Sequence, residues 1–144
     1  MSEVFHLLLL EDNPADVDLT REMLSLSEIE IEISVAADGV EGMKALYRPP
    51  YEANERPDLI VLDLNMPRKD GRNFLKELRQ DATLKAIPVI VLSSSEAQRD
   101  IDNSYQLGAN CYVAKPVDLQ AFQGVVRTVE SFWFRIARLP SDSL

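Results

Sequence analysis

The sequence predicts an α/β fold, a five-stranded parallel sheet with helices on both faces. Two observations lead there. Strand-length apolar runs alternate with longer segments of helical period, five times in succession. The inner runs also lack the polar alternation of a half-exposed strand, which marks strands covered on both sides. Crossovers between such strands are right-handed, and active groups gather at the carboxyl ends of the strands, at the topological switch point.

Each element has a local reason. "FHLLLL" (Phe5–Leu10) is a buried strand. "EDNPAD" breaks it, Pro14 suits a first helical turn, and Asp16 to Leu26 places Val17, Leu19, Met23, Leu24 and Leu26 at helical spacing. "IEIEISV" (Ile29–Val35) alternates apolar and mostly acidic residues, as an edge strand does. Asp38 caps a short helix through Leu46, and the proline-bearing stretch Tyr47–Pro57 reads as a surface loop. Leu59–Leu62 is fully apolar and therefore central. Gly71–Gln80 is a helix with Phe74, Leu75 and Leu78 on one face. "IPVIVLSSS" (Ile87–Ser95) is a fourth strand, and Glu96–Leu107 a polar helix closed by Gly108. Asn110–Pro116 is the fifth strand, and a long helix runs from Leu119 to about Leu139.

Composition bounds the function. The 144 residues suit one domain, 1–144, with no linker or internal repeat. A net charge of −9 speaks against nucleic acid, because there is no basic excess to neutralise phosphates. Arg68, Lys69 and Arg72 are too few to make a footprint. The single cysteine, Cys111, forms no internal disulfide and fits a reducing compartment. The N-terminus lacks a basic region and cleavage site, and no run approaches the ~20 apolar residues of a membrane span. A cytoplasmic protein with no membrane contact is expected.

The strand ends carry the chemistry. Glu11 and Asp12 follow the first strand, Asp63 the third, Ser93, Ser94 and Ser95 the fourth, and Lys115 with Pro116 the fifth. In a parallel sheet these meet at one edge. Close carboxylates raise one another's proton affinity unless a cation sits among them, and all-oxygen ligands favour Mg²⁺. Asp63 is then placed to act as a nucleophile toward phosphorus, with Mg²⁺, Lys115 and the Ser93 hydroxyl stabilising the phosphoryl oxygens. Taken singly, Glu11–Asp12 reads equally well as a capping turn, while Lys115 reads as a surface lysine and Ser93 as a helix cap with Glu96 as its box partner. Their joint placement after four strands favours the functional reading.

With "LLLLEDNPAD", "LIVLDLNMPRKDG", "PVIVLSSS" and "GANCYVAKPVD" in place, the chain resembles the receiver domain of two-component response regulators over essentially its whole length. The resemblance implies a flavodoxin-like fold with strand order 2-1-3-4-5. It implies that Asp63 accepts a phosphoryl group from a phosphohistidine on a histidine kinase. The metal ligands would be Glu11, Asp12, Asp63 and the backbone carbonyl of Asn65, holding one Mg²⁺. Ser93 matches the switch hydroxyl, Lys115 the phosphate-pairing lysine and Tyr112 the switch aromatic. A cis Lys115–Pro116 bond is also implied. Phosphorylation would turn Ser93 toward the phosphate and draw Tyr112 inward from a solvent-exposed rotamer. Asn65 and Ser95 would flank the hydrolytic water and set the phosphoryl lifetime. Glu11 departs mildly from the family, in which aspartate is commoner.

Within the family, the proline-bearing insert, "GANCYVAKP" and the C-terminal "VESFWFRIARLP" look most like the stand-alone regulators of bacterial phytochrome-type kinases. The alternatives are a phosphorelay shuttle or a chemotaxis-type regulator of another kinase. The stretch after Pro116 leaves no room for an output domain, so output passes to a downstream protein or onward phosphotransfer. Val125, Val126 and Val129 are expected to pack on the sheet, whereas Phe132, Trp133 and Ile136, with Phe134 widening the stripe, extend past it. With Tyr112 they predict a homodimer surface. His6, Cys111 and Trp133 read as packing residues.

Two other classes compete. A Mg²⁺-dependent phosphatase with an aspartyl nucleophile needs a general acid two residues on, where this chain has Asn65. A pseudo-receiver would have lost part of the pocket, and here every part is present. The chain is therefore expected not to be an enzyme, beyond accepting and slowly hydrolysing its own phosphoryl group.

Overall fold

The computed structural model describes residues 4–47, 56–66 and 70–140. The strands are β1 (Val4–Leu10), β2 (Glu30–Ala36), β3 (Leu59–Leu62), β4 (Val89–Ser93) and β5 (Cys111–Ala114). The helices are α1 (Pro14–Ser25), α2 (Gly39–Ala45), α3 (Gly71–Gln80), α4 (Gln98–Gln106) and α5 (Leu119–Ser131), the last followed by a π-helical turn, Phe132–Ile136. The sheet order is β2-β1-β3-β4-β5, with every neighbouring pair parallel. The expected fold class and strand order are both found. The chain passes from β1 outward to β2 and then crosses back past β1 to β3, so the crevice at the carboxyl ends of β1 and β3 is the topological switch point.

Strand alternation divides the core in two. Leu8, Leu10, Ile60, Leu62 and Val91 face Phe74, Leu75 and Leu78 of α3. Leu7, Leu9, Val61 and Ile90 face Leu24 of α1 and Phe122 and Val126 of α5. Successive strand side chains point to opposite faces, so the four leucines of β1 serve both layers. Burying each such side chain contributes about 1.5–3 kcal/mol. At the β2 edge, Ile31 and Ile33 are half-buried while Glu30 and Glu32 are exposed, as the alternation predicts.

Strand ends shift by one or two residues from the sequence reading, and three helix boundaries differ for a local reason. α1 begins two residues earlier, at Pro14, because the Asn13 side chain accepts from the Ala15 N–H at 2.9 Å and the Asp16 N–H at 3.3 Å. The fourth helix begins at Gln98 with Ala97 at its cap, so no capping box joins Ser93 to Glu96; Ser95 Oγ accepts the Ala97 N–H instead. The last helix does not run regularly to Leu139. It widens at Phe132, and Ala137 is extended.

That wider turn swings Phe134 inward. Its ring packs against Phe5 at 5.1 Å between centroids and is 5% exposed, so Phe134 belongs to the core and does not widen an exposed stripe. Glu130 holds the turn through hydrogen bonds from Ser27 Oγ (2.7 Å) and Arg135 Nε (2.8 Å). The expected loop Tyr47–Pro57 lies mostly outside the described residues, as do Arg68 and Lys69. Pro57, which ends that loop, is buried. Among the described residues, no helix is long and apolar enough to cross a membrane.

Candidate phosphoryl-acceptor and metal site

Backbone pairing continues one residue beyond the strands and fixes the site. Glu11 N–H donates to Ala36 O and Asp63 N–H to Leu10 O, both at 3.0 Å. The two carboxylates are thereby carried on the rims of adjacent strands. The loop after β3 is closed by α3, where Gly71 N–H donates to Leu64 O at 2.9 Å. Gly71 has no alternative: a Cβ there would lie 2.5 Å from Asp63 O and 2.7 Å from Leu64 Cα. Asp70 caps α3 by accepting the Asn73 N–H at 3.0 Å. Across the site, Lys115 N–H donates to Ser93 O at 2.6 Å, which joins the ends of β4 and β5.

Carboxylate oxygens of Glu11, Asp12 and Asp63 lie within 4.8 Å of one another; among the described residues this is the one such group able to hold a metal ion. Glu11 and Asp63 are buried and Asp12 is exposed. Lys115 Nζ lies 2.6 Å from Glu11 Oε1, 2.8 Å from Asp16 Oδ2 and 3.6 Å from Asp63 Oδ2. Burial pushes the Glu11 carboxyl up to about 7; the Lys115 hydrogen bond opposes this and the Asp63 charge adds to it. Burial alone would lower the Lys115 ammonium, but its hydrogen bonds to Asp16 and Glu11 outweigh it and hold the group above the ordinary lysine range. A cation bound among the three acids would offset the charge of Glu11 and Asp63. Three hard oxygen donors suit a small divalent ion.

Asn65 is exposed at the mouth of the pocket, and its N–H donates to Asp63 Oδ1 at 3.1 Å. Ser93 is fully buried, and its Oγ accepts the Ser95 N–H at 3.3 Å. Ser95 Oγ donates to Asp100 Oδ2 at 2.6 Å, and Asp100 Oδ1 faces Arg72 Nη2 at 3.4 Å. The Ser95 bond is the main cause holding the Asp100 carboxyl below the usual range. Tyr112 is half-buried, and its hydroxyl donates to Ser95 O at 2.7 Å. Tyr112 is expected from the sequence on a solvent-exposed rotamer; here its hydroxyl has the Ser95 carbonyl as a partner and the residue is half-buried.

The residues grouped as one dimer surface separate. Tyr112 packs with the α3-side core, while Trp133 packs with the opposite core. Phe132 and Trp133 line an open groove of about 740 Å³ with Ile90, Cys111, Val113 and Val125, and Ile136 is 68% exposed. Burial pushes the Cys111 thiol up, in keeping with a packing residue. His6 Nδ1 lies 3.2 Å from Glu32 Oε2 on the β2 edge, far in the fold from the acidic group. Asp16 is the site residue that sequence reasoning missed. It read as a helix start, and only the approach of β5 to α1 gives it Lys115.

The comparisons with known proteins agree with this geometry. The sequence profile of the response regulator receiver domain matches residues 7–127. The response regulator Rcp1 of Synechocystis sp. is 43% identical over 136 residues, 94% of this chain and 92% of that protein. The crystal structure of the phosphorylated cyanobacterial phytochrome response regulator RcpA superposes with a TM-score of 0.91 at 44% identity, covering 96% of this chain and all of that one. The Mn²⁺-bound form of Rcp1 follows at 0.88 and 42%, covering 95% and 99%. On this evidence the chain belongs to the response regulator receiver domain family.

Proposed function

We propose that the chain is a single-domain, cytoplasmic response regulator that takes a phosphoryl group on Asp63 from a histidine kinase of the phytochrome type. The observation that carries this is the convergence of Glu11, Asp12 and Asp63 within 4.8 Å, with Lys115 Nζ 3.6 Å from the acceptor carboxylate. The 44% identity to a phytochrome response regulator supports the kinase type.

Asp63 attacks the phosphorus of a phosphohistidine. The P–O bond forms as the P–N bond breaks, and the imidazole nitrogen leaves with the electron pair and takes a proton from solvent. Glu11, Asp12, Asp63 and the Asn65 carbonyl would hold one Mg²⁺, which when bound neutralises charge on the phosphoryl oxygens. Lys115 pairs with the phosphoryl group and Ser93 turns to hydrogen-bond it. The Ser93–Ser95–Tyr112 linkage carries that turn to the α4–β5–α5 face as a population shift. Asn65 and Ser95 set the lifetime before slow hydrolysis. Output goes to a downstream protein, and Phe132, Trp133 and Ile136 at the β5–α5 edge form the homodimer surface together with Tyr112 on the neighbouring face. Sedimentation as a monomer at high micromolar concentration, with and without a phosphoryl mimic, would remove the dimer.

Labelled acetyl phosphate with Mg²⁺ tests the reading. A receiver gives stoichiometric label that Asp63→Asn abolishes, a phosphatase turns over, and a pseudo-receiver does neither. Label on the Asp63→Asn chain rejects the acceptor assignment.

A further inference from the structure

Asp16 stands outside the group of three carboxylates that would hold a cation, yet it takes one of the two shortest bonds to Lys115, at 2.8 Å. Its freedom to do so has a structural cause. As the third residue of α1, it would ordinarily reach back to the N–H of the capping residue. Here that N–H, on Asn13, donates to Glu11 Oε2 at 3.2 Å. Asn13 in turn accepts the Asp16 N–H, and Thr20 Oγ1 donates to Asp16 O at 2.8 Å. The backbone of Asp16 is pinned and its carboxylate faces the pocket.

Lys115 is a built-in competitor for the cation. Its ammonium sits against Glu11 and 3.6 Å from Asp63, the two buried members of the acidic group. A divalent ion entering among Glu11, Asp12 and Asp63 repels it. Without another anion, the lysine would have to choose between staying in the cation's place and losing its only counter-charge in a half-buried setting. Asp16 supplies the other place.

We propose that Asp16 is a positioning residue that draws Lys115 off the acidic group, so that the divalent cation and the lysine are held at the same time. This rests on the metal and acceptor site proposed above and adds to it a fifth acidic or basic side chain. The prediction is specific about route: Asp16 acts on the cation through Lys115, not through its own charge.

The test is a double-mutant cycle read by cation affinity alone. Mn²⁺ is titrated into the full chain and the free ion is followed by its electron paramagnetic resonance signal; Mg²⁺ is measured by competition. Asp16→Asn weakens Mn²⁺ binding by roughly three- to tenfold, as expected for one partly screened charge held in the site. Lys115→Met binds Mn²⁺ more tightly than the parent chain, and in that background Asp16→Asn changes affinity by less than about twofold. Asp16→Glu in the parent chain restores most of the affinity, and circular dichroism melting checks that each variant is folded. An Asp16→Asn chain that binds as the parent does, or one that loses the same factor with and without Lys115, overturns the inference and leaves the site standing. A parent chain that binds neither ion overturns both.

Discussion

Alanine at Gly71 and at Gly124 should move stability in opposite directions. At Gly71 the added Cβ meets backbone, Asp63 O at 2.5 Å and Leu64 Cα at 2.7 Å, which no side-chain rotation relieves. α3 must back away from the loop after β3, straining the Gly71 N–H to Leu64 O bond of 2.9 Å. Overpacking of this kind costs about 1–3 kcal/mol, and a weakened backbone bond adds up to about 1 kcal/mol. At Gly124, within α5, a Cβ meets nothing within 4 Å. There alanine stabilises by about 0.5–1 kcal/mol, because glycine loses more backbone freedom on folding. Urea titrations at low protein concentration should show the two midpoints displaced to either side of the parent, with an unchanged slope. The same retreat of α3 shifts Asp63 and Asn65, so Gly71→Ala also weakens Mn²⁺ binding and Gly124→Ala leaves it intact. A Gly71→Ala chain within about 0.5 kcal/mol of the parent and with native Mn²⁺ affinity would refute the reasoning.

Two further outcomes follow from burial. Phe134→Ala removes a core ring packed on Phe5 and should cost about 3–5 kcal/mol, a fall in Tm of about 10 °C, whereas Ile136→Ala at the exposed end of the same turn stays within about 0.5 kcal/mol. Equal losses by thermal melting would show that the π-helical turn does not place these side chains as described. Burial pushes the Glu11 carboxyl up to about 7 from its ordinary value of 4.5. Its folded-state value is raised, so its contribution to stability is present below pH 4.5 and is lost as the pH rises to about 7. Below pH 7 an entering cation must also displace the proton, so apparent Mg²⁺ affinity falls roughly tenfold from pH 8 to pH 6, and Glu11→Gln removes that dependence. Calorimetry giving one affinity at both pH values would sink the assignment.

Much of this architecture was legible because single-period patterns report it directly. The unbroken apolar runs of β3 and β4 and the acid-alternating β2 reveal which strands are central and which is an edge, since burial on one or two faces leaves different spacing. The strand ends were legible for the same reason: a parallel sheet sends Glu11, Asp63, Ser93 and Lys115 to one rim whatever the helices do. What escaped was tertiary. Asp16 carries no signal of its own, being an ordinary acid in the first turn of a helix, and its role exists only because β5 brings Lys115 beside α1. Phe134 looked like its neighbours in an aromatic stripe. One widened turn, held by Glu130, turns it inward, and no 3.6-residue periodicity contains that. Ser93 and Glu96 had the spacing of a capping box, but the loop after β4 spends its hydroxyls elsewhere.

That loop bears most directly on how a change at Asp63 would reach the surface. All three polar groups of Ser95 are committed: its N–H to Ser93 Oγ, its carbonyl to the Tyr112 hydroxyl and its own hydroxyl to Asp100. Ser93 cannot rotate toward a phosphoryl group and keep the first bond unchanged, because its one oxygen serves both. The displaced Ser95 N–H would then be free to move with the loop, and the carbonyl that holds Tyr112 would move with it. The Arg72–Asp100 contact ties the same serine to α3, the helix that closes over the acceptor. A partner that binds only one arrangement of Tyr112 gains discrimination no greater than the free-energy difference this short chain of bonds creates. Breaking its outer end, at the half-buried Asp100, should therefore loosen the coupling between acceptor and surface while leaving Asp63 able to be labelled, a separation that loss of Ser93 would not give.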